Sequence, residues 1–89
     1  MDQSTVKRNI VSIRIAFQRT VEFGRKVVLE SESPLRQQVA QEILFESLGP
    51  LNKRERRIVR DALVNAAMDR SNDFTGHADK LVVTLLKAA

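Results

Sequence analysis

Apolar residues recur at steps of three and four positions through most of the chain, and this spacing gathers side chains on one side of an α-helix. The first segment with this pattern runs from about Val6 to Leu29. Its apolar stripe consists of Val6, Ile10, Ile13, Phe17, Val21, Gly24 and Val28. The pattern therefore predicts one long amphipathic helix in the first third of the chain.

A β-hairpin is the alternative structure for residues 9–29. Every second residue from Val11 to Phe17 is apolar, and several of these residues are β-branched, a type that favours strands. Gly24 and Arg25 would then form the turn of the hairpin. The helix is the stronger prediction because the spacing of three and four persists over six turns, whereas the alternation ends at Arg19.

Turn and capping residues divide the rest of the chain into three more predicted helices. In the second helix, Ser33 accepts hydrogen bonds from the first turn, Pro34 suits the first helical position, and Gly49 followed by Pro50 ends the helix. Its apolar residues are Leu35, Val39, Ala40, Ile43, Leu44 and Leu48. Since they cover more than half of the helix circumference, we expect this helix to lie at the centre of the fold.

The third and fourth helices also have predicted start signals. Asn52 and Glu55 have the spacing of a capping box, and Thr75 is predicted to cap the fourth helix. The apolar stripe of the fourth helix runs from Ala78 to Leu85. Together the four segments predict an all-α fold, a compact bundle of about four helices, within a single domain over residues 1–89.

The composition limits the kinds of chemical site that this chain can form. The sequence lacks Cys and has His77 as its single histidine, so we expect no disulfide, no metal site and no cofactor. No apolar stretch has the length of a secretory signal or of a membrane-spanning helix. We therefore expect a cytoplasmic protein that does not enter the membrane.

No group of residues predicts a catalytic site. Six residues separate Arg70 from His77, which resembles the Arg-to-His spacing of the all-α HEPN ribonucleases, a family in which both residues act on the scissile phosphate. The resemblance covers two positions only, and the interval from Ser71 to Gly76 predicts a loop, whereas that family places both residues on or beside one helix. We therefore expect that the protein is not an enzyme.

Positive charge is concentrated in one short segment. The formal net charge is +4, and five of the 15 basic residues lie between Lys53 and Arg60, at the start of the third helix. The residues predicted to bind nucleic acid are Lys53, Arg56, Arg57 and Arg60, joined by Arg14 and Arg25 of the first helix. Because helix N-termini and arginine side chains both attract phosphate, the predicted partner is nucleic acid or a nucleoprotein complex.

The first segment also predicts a protein interface. Val11, Ile15 and Leu29 are apolar but lie away from its main stripe. Leaving several aliphatic side chains in water forgoes about a few kcal/mol, which is comparable to the net stability of a small domain. We therefore expect a second surface to cover these residues, either in a homodimer or in a complex with a different protein.

These observations predict a small non-enzymatic regulatory or accessory protein that binds nucleic acid or a nucleoprotein complex through a basic helix face. The alternative function is that of a protein-binding adaptor or inhibitor, of the antiactivator or phage-encoded kind, which engages an acidic partner. The two functions use different surfaces: the third helix in the first case, and the apolar first helix with its arginine rim in the second.

Overall fold

The structure, a computed structural model, describes residues 3–30 and 33–88, and the side chains of residues 4–28 and 33–88. The described residues form four α-helices and no strand. The helices are α1 (Gln3–Glu30), α2 (Pro34–Leu48), α3 (Lys53–Met68) and α4 (Phe74–Ala88). The predicted all-α bundle of four helices is confirmed. The hairpin alternative for residues 9–29 is wrong, because α1 is continuous through them.

The predicted ends of α2 are confirmed. The Ser33 Oγ accepts a hydrogen bond from the backbone N–H of Leu35 at 3.3 Å, and Pro34 occupies the first helical position. At the other end, Gly49 has a φ of 84°, and its backbone N–H donates to the carbonyl oxygen of Phe45 at 3.1 Å. Glycine adopts this left-handed conformation without the strain that a Cβ would cause.

The predicted capping box at the start of α3 is also confirmed. The Asn52 side chain accepts a hydrogen bond from the backbone N–H of Glu55 at 2.8 Å. In return, the Glu55 carboxylate accepts from the backbone N–H of Asn52 at 3.0 Å. Glu55 is buried, so its negative charge is directed into the fold and away from the exposed side of α3.

The start of α4 differs from the prediction that Thr75 caps this helix. The cap is Asp73, whose carboxylate accepts from the backbone N–H of Gly76 at 3.1 Å, while its carbonyl oxygen accepts from His77 at 3.0 Å. A carboxylate carries the negative charge that a helix N-terminus favours. Since the helix begins at Phe74, Thr75 lies inside the first turn.

The long helix α1 is the central element of the fold. It packs against α2, α3 and α4, whereas α2 packs on α1, and α3 packs on α1 and α4. The fully buried side chains of the core come from all four helices and include Ile13, Phe17, Leu44, Val59 and Leu85. Burial of these apolar side chains against one another removes them from water and stabilises the fold. This burial explains why the other three helices pack around α1.

The prediction that α2 is the central helix is wrong. Ala40, Leu44 and Leu48 are buried against α1, but the opposite side of α2 is exposed to solvent. The exposed apolar residues on that side are Leu35, Val39 and Ile43, with 64%, 45% and 44% of their surface exposed. Apolar residues around most of a helix do not show how many neighbouring helices will cover it. Here α1 covers one side of α2, and the opposite side stays in solvent.

Candidate nucleic-acid interface

The four basic residues predicted on the third helix are exposed together along α3. Lys53, Arg57 and Arg60 follow one another at steps of four and three, so they lie along the same side of the helix, and Arg56 flanks them. The buried residues of α3, Val59 and Ala66 among them, occupy the opposite side. We call Lys53, Arg56, Arg57 and Arg60 the α3 basic face.

The positive charge of the α3 basic face is not neutralised inside the protein. No described residue forms an ion pair with any of its four members. Asp61 is exposed on a flank of α3, and Arg54 adds a fifth exposed cation on that flank. The free N–H groups of the first helical turn contribute further positive potential at the same end of α3. The surface therefore has the electrostatic character that binds phosphate groups.

Arg14 forms a half-exposed ion pair with Asp79. Its Nε and Nη2 atoms donate to the two carboxylate oxygens of Asp79 at 2.9 and 3.0 Å, which ties α1 to α4. The hydrogen bonds to Asp79 and the negative charge of that carboxylate raise the pKa of Arg14 above its ordinary value. Arg14 therefore differs from the four residues of the α3 basic face, because its charge already has a partner within the fold.

Arg25 is also used within the fold, where it closes the C-terminal end of α3. Its guanidinium donates four hydrogen bonds of 2.6 to 3.1 Å, to the carbonyl oxygens of Ala66, Ala67 and Asp69 and to the side chain of Asn72. It also lies over the ring of Phe74, 5.5 Å from the ring centre. Since the last turn of α3 has no basic residue of its own, Arg25 supplies the cation that a helix C-terminus favours.

His77 and Asp69 form a second contact across the turn between α3 and α4. The His77 Nε2 lies 2.6 Å from a carboxylate oxygen of Asp69. The backbone N–H of Ser71, then His77, then the hydroxyl of Ser71 donate hydrogen bonds to this carboxylate and lower its pKa to about 2. The loop predicted from Ser71 to Gly76 is confirmed over residues 71–73, whereas residues 74–76 form the first turn of α4. The spacing that resembles the ribonucleases thus spans a turn between two helices, and His77, on α4, contacts Asp69 across that turn.

Replacement of Asp69 by asparagine is expected to change how stability responds to acid. The pKa of Asp69 is about 2 in the folded protein against an ordinary value of 3.8, so folding favours its ionised form. Its contribution to stability is complete above about pH 4 and is lost as the pH falls towards about 2. Thermal melting between those values should show a steeper loss of stability in the wild type than in Asp69→Asn. Parallel curves for the two proteins would contradict this role.

Comparison of the chain with protein-family models, with curated proteins and with solved structures gives no match. Within residues 3–30 and 33–88, no three potential metal-ligating side chains come together. In the same residues, no helix is both long enough and apolar enough to cross a membrane.

A groove runs between α2 and α3, with α1 as its floor. It encloses about 610 Å³, and its apolar lining includes Val21, Leu63 and Val64. Arg60 belongs both to the lining of this groove and to the α3 basic face, so one edge of the groove is cationic. The basic surface therefore continues from the outer side of α3 towards the space beside α2.

Two of the three residues predicted to form a protein interface are exposed, and further exposed apolar residues lie on α2. Val11 and Ile15 lie on the outer side of α1, with 61% and 46% of their surface exposed. The side chain of Leu29, the third predicted residue, lies outside the described part of the chain. Exposed apolar residues of α2 extend this surface. Because the consecutive helices α1 and α2 pack together as a helical hairpin, we call the whole set the hairpin face: Val11, Ile15, Leu35, Val39 and Ile43.

Proposed function

We propose that this protein binds nucleic acid, or the nucleic acid of a nucleoprotein complex, through the α3 basic face and does not catalyse a reaction. The observation that carries this proposal is the exposure of four cations on one half of α3, with no ion pair to any described residue. Arg14 and Arg25 are left out of the proposed site, because both are held by other parts of the fold.

The dimensions of the α3 basic face match a stretch of phosphate backbone. Lys53 and Arg60 are seven residues apart, which corresponds to about 10 Å along a helix, or about three base steps of duplex DNA. None of the four phenylalanines lies on α3, so the face has no aromatic side chain on which bases stack. We therefore expect contacts to the sugar–phosphate backbone and little dependence on base sequence.

The salt dependence of binding tests the proposal. The wild-type chain is titrated against a labelled duplex DNA of about 20 base pairs and against a duplex RNA of the same sequence, over a series of salt concentrations. If about four phosphates are neutralised, the logarithm of the binding constant should fall against the logarithm of salt with a slope of about −3 to −4. The absence of binding at low salt, or a slope near zero, would contradict the proposed function.

The second candidate function is that of a protein-binding adaptor or inhibitor. The exposure of Val11 and Ile15 beside the cationic side chains of Arg8 and Arg19 favours it. An amphipathic partner with acidic residues would match this half of the hairpin face. The other half of the face, on α2, carries acidic residues of its own, so a purely acidic partner matches only the part that α1 provides.

A further inference from the structure

The hairpin face combines exposed apolar residues with charges that are positive on its α1 half and negative on its α2 half. Its five apolar residues come from α1 and α2 and are each 44% to 64% exposed. The side of α1 next to them carries the exposed cations Arg8 and Arg19. The side of α2 next to them carries the exposed acids Glu42 and Glu46. One face of one chain therefore presents both members of a set of ion pairs.

Additional charges near the hairpin face leave the two halves with opposite signs. On α1, Lys7 and Lys26 are exposed and reinforce the cations, while Glu22 accepts a hydrogen bond from Gln18. On α2, Arg36 lies at the start of the helix, where it lines the same groove as Arg19, and it makes an interaction of its own. The α1 half is therefore cationic, and the part of α2 that follows Val39 is anionic.

The register of the two helices centres the two cations of α1 opposite the two acids of α2, with each cation about 5 Å in height from the nearer acid. The Asn9 side chain donates to the carbonyl oxygen of Ser47 at 3.0 Å, and Gly24 lies against the side chain of Gln37. The two helices are thus antiparallel, with residue 9 beside residue 47 and residue 24 beside residue 37. These two contacts are 15 residues apart on α1 and 10 residues apart on α2, and between them Ile15 lies at about the height of Ile43.

We infer that the hairpin face is the interface of a homodimer in which α1 of one copy packs on α2 of the other. A two-fold axis parallel to the helices brings the faces together with their heights preserved. Arg8 then lies nearest to Glu46 of the other copy and Arg19 nearest to Glu42, each offset by about 5 Å along the helix, which is within the reach of an arginine side chain. The axis repeats both contacts, and the apolar centres cover each other.

The charges distinguish this arrangement from the other two-fold packing of the same face. If α1 packed on α1, the cations Arg8 and Arg19 would face the same cations of the other copy, and the acids of α2 would face acids. Like charges placed opposite one another oppose association, so the α1-on-α2 arrangement is the one that the surface favours. Because the hairpin face carries both positive and negative charges, it matches a second copy of this chain better than a partner protein whose surface carries charges of one sign.

The size of the hairpin face sets the expected strength of the dimer. The 15 residues of α2 span about 22 Å, so two helices side by side offer an interface of the small size class. We expect a dissociation constant of about the micromolar range. The core residues of α1 lie on the opposite side of that helix, so the dimer leaves α3 uncovered and presents two basic faces. The inference does not depend on what those faces bind.

Charge exchange between two variants tests the dimer. One variant carries Arg8→Glu and Arg19→Glu, and the other carries Glu42→Arg and Glu46→Arg. Neither pair should harm its own helix, because all four side chains are exposed to solvent. Each variant alone places like charges across the interface, whereas an equimolar mixture restores opposite charges at both helix pairs. Analytical ultracentrifugation from about 5 to 200 μM measures association of the wild type, of each variant and of the mixture.

The expected result is a wild-type dimer, a loss of affinity of at least about 10-fold in each variant alone, and a heterodimer of nearly wild-type affinity in the mixture. A wild type that stays monomeric over this range would overturn the proposal. The same holds if either variant alone dimerises as the wild type does, or if the mixture stays monomeric. In the packing of α1 on α1, only the mixture would place opposite charges across the interface. A mixture that associates more tightly than the wild type would therefore indicate that packing and overturn the proposed arrangement.

A second pair of variants tests the apolar centre of the interface. Ile15→Asp places a charge in the middle of the hairpin face, while Val83→Asp places the same charge on α4, where Val83 is 49% exposed, against 46% for Ile15. We expect Ile15→Asp to abolish the dimer and Val83→Asp to retain it, with equal helicity by circular dichroism. Equal dimerisation of the two folded variants would contradict an interface at Ile15.

Discussion

Changing Lys53, Arg57 and Arg60 together to glutamate is expected to weaken nucleic-acid binding by about 100-fold. These residues form the exposed stripe of the α3 basic face, and no described residue forms an ion pair with them. A loss of about 1 kcal/mol for each of three phosphate contacts corresponds to about two orders of magnitude in affinity. The slope of affinity against salt should also approach zero, because few phosphates remain neutralised.

The fold of this triple variant should be unchanged. Its substitutions lie on the exposed side of α3 and in the first half of that helix, where acidic residues interact favourably with the helix dipole. Fluorescence anisotropy measures the binding, and circular dichroism checks the fold.

A matched variant separates the local basic face from net charge. Lys26, Arg70 and Lys80 are exposed outside the α3 basic face, and their change to glutamate lowers the net charge by the same six units, from +4 to −2. We expect this control to lose much less affinity than the variant of the α3 basic face. Equal losses in the two variants would mean that overall charge, rather than this surface, governs binding. Unchanged binding in the first variant would remove the proposed site.

Replacement of Arg25 by alanine is expected to lower the free energy of unfolding by about 2 kcal/mol. The guanidinium donates to three carbonyl oxygens at the C-terminal end of α3 and to the side chain of Asn72, and it covers the ring of Phe74. Its removal leaves the end of α3 without a cation and separates α1 from the turn that leads into α4. For a domain of this size, the melting temperature should fall by roughly 8–16 °C.

Two further variants define the role of Arg25. Lys26→Ala removes a neighbouring cation that is exposed, so its effect should be small. Arg25→Lys retains the charge but not the planar fork that reaches several acceptors at once, and it should recover less than half of the lost stability. Urea or thermal unfolding measures all three proteins. If Arg25→Ala were as stable as Lys26→Ala, the contacts at the end of α3 would not stabilise the fold.

The parts of this protein that were predicted from the sequence depend on residues close together in the chain. The cap at Ser33, the capping box of Asn52 with Glu55 and the stop at Gly49 each involve positions at most four apart. The α3 basic face was predicted for the same reason, because the helical period places the bases on one side and the buried residues on the other. The fold class and the outline of the candidate site follow from such local patterns.

The features that only the tertiary structure decided involve partners distant in the chain. Arg14 contacts Asp79, 65 positions away, and Arg25 contacts a carbonyl oxygen 42 positions away, so no local pattern distinguished these cations from those that face solvent. The sequence likewise did not determine which side of α2 is exposed, because apolar residues on most sides of a helix do not show which side packs against a neighbour. Periodicity determines which residues share a side, whereas packing among distant helices determines which side is buried.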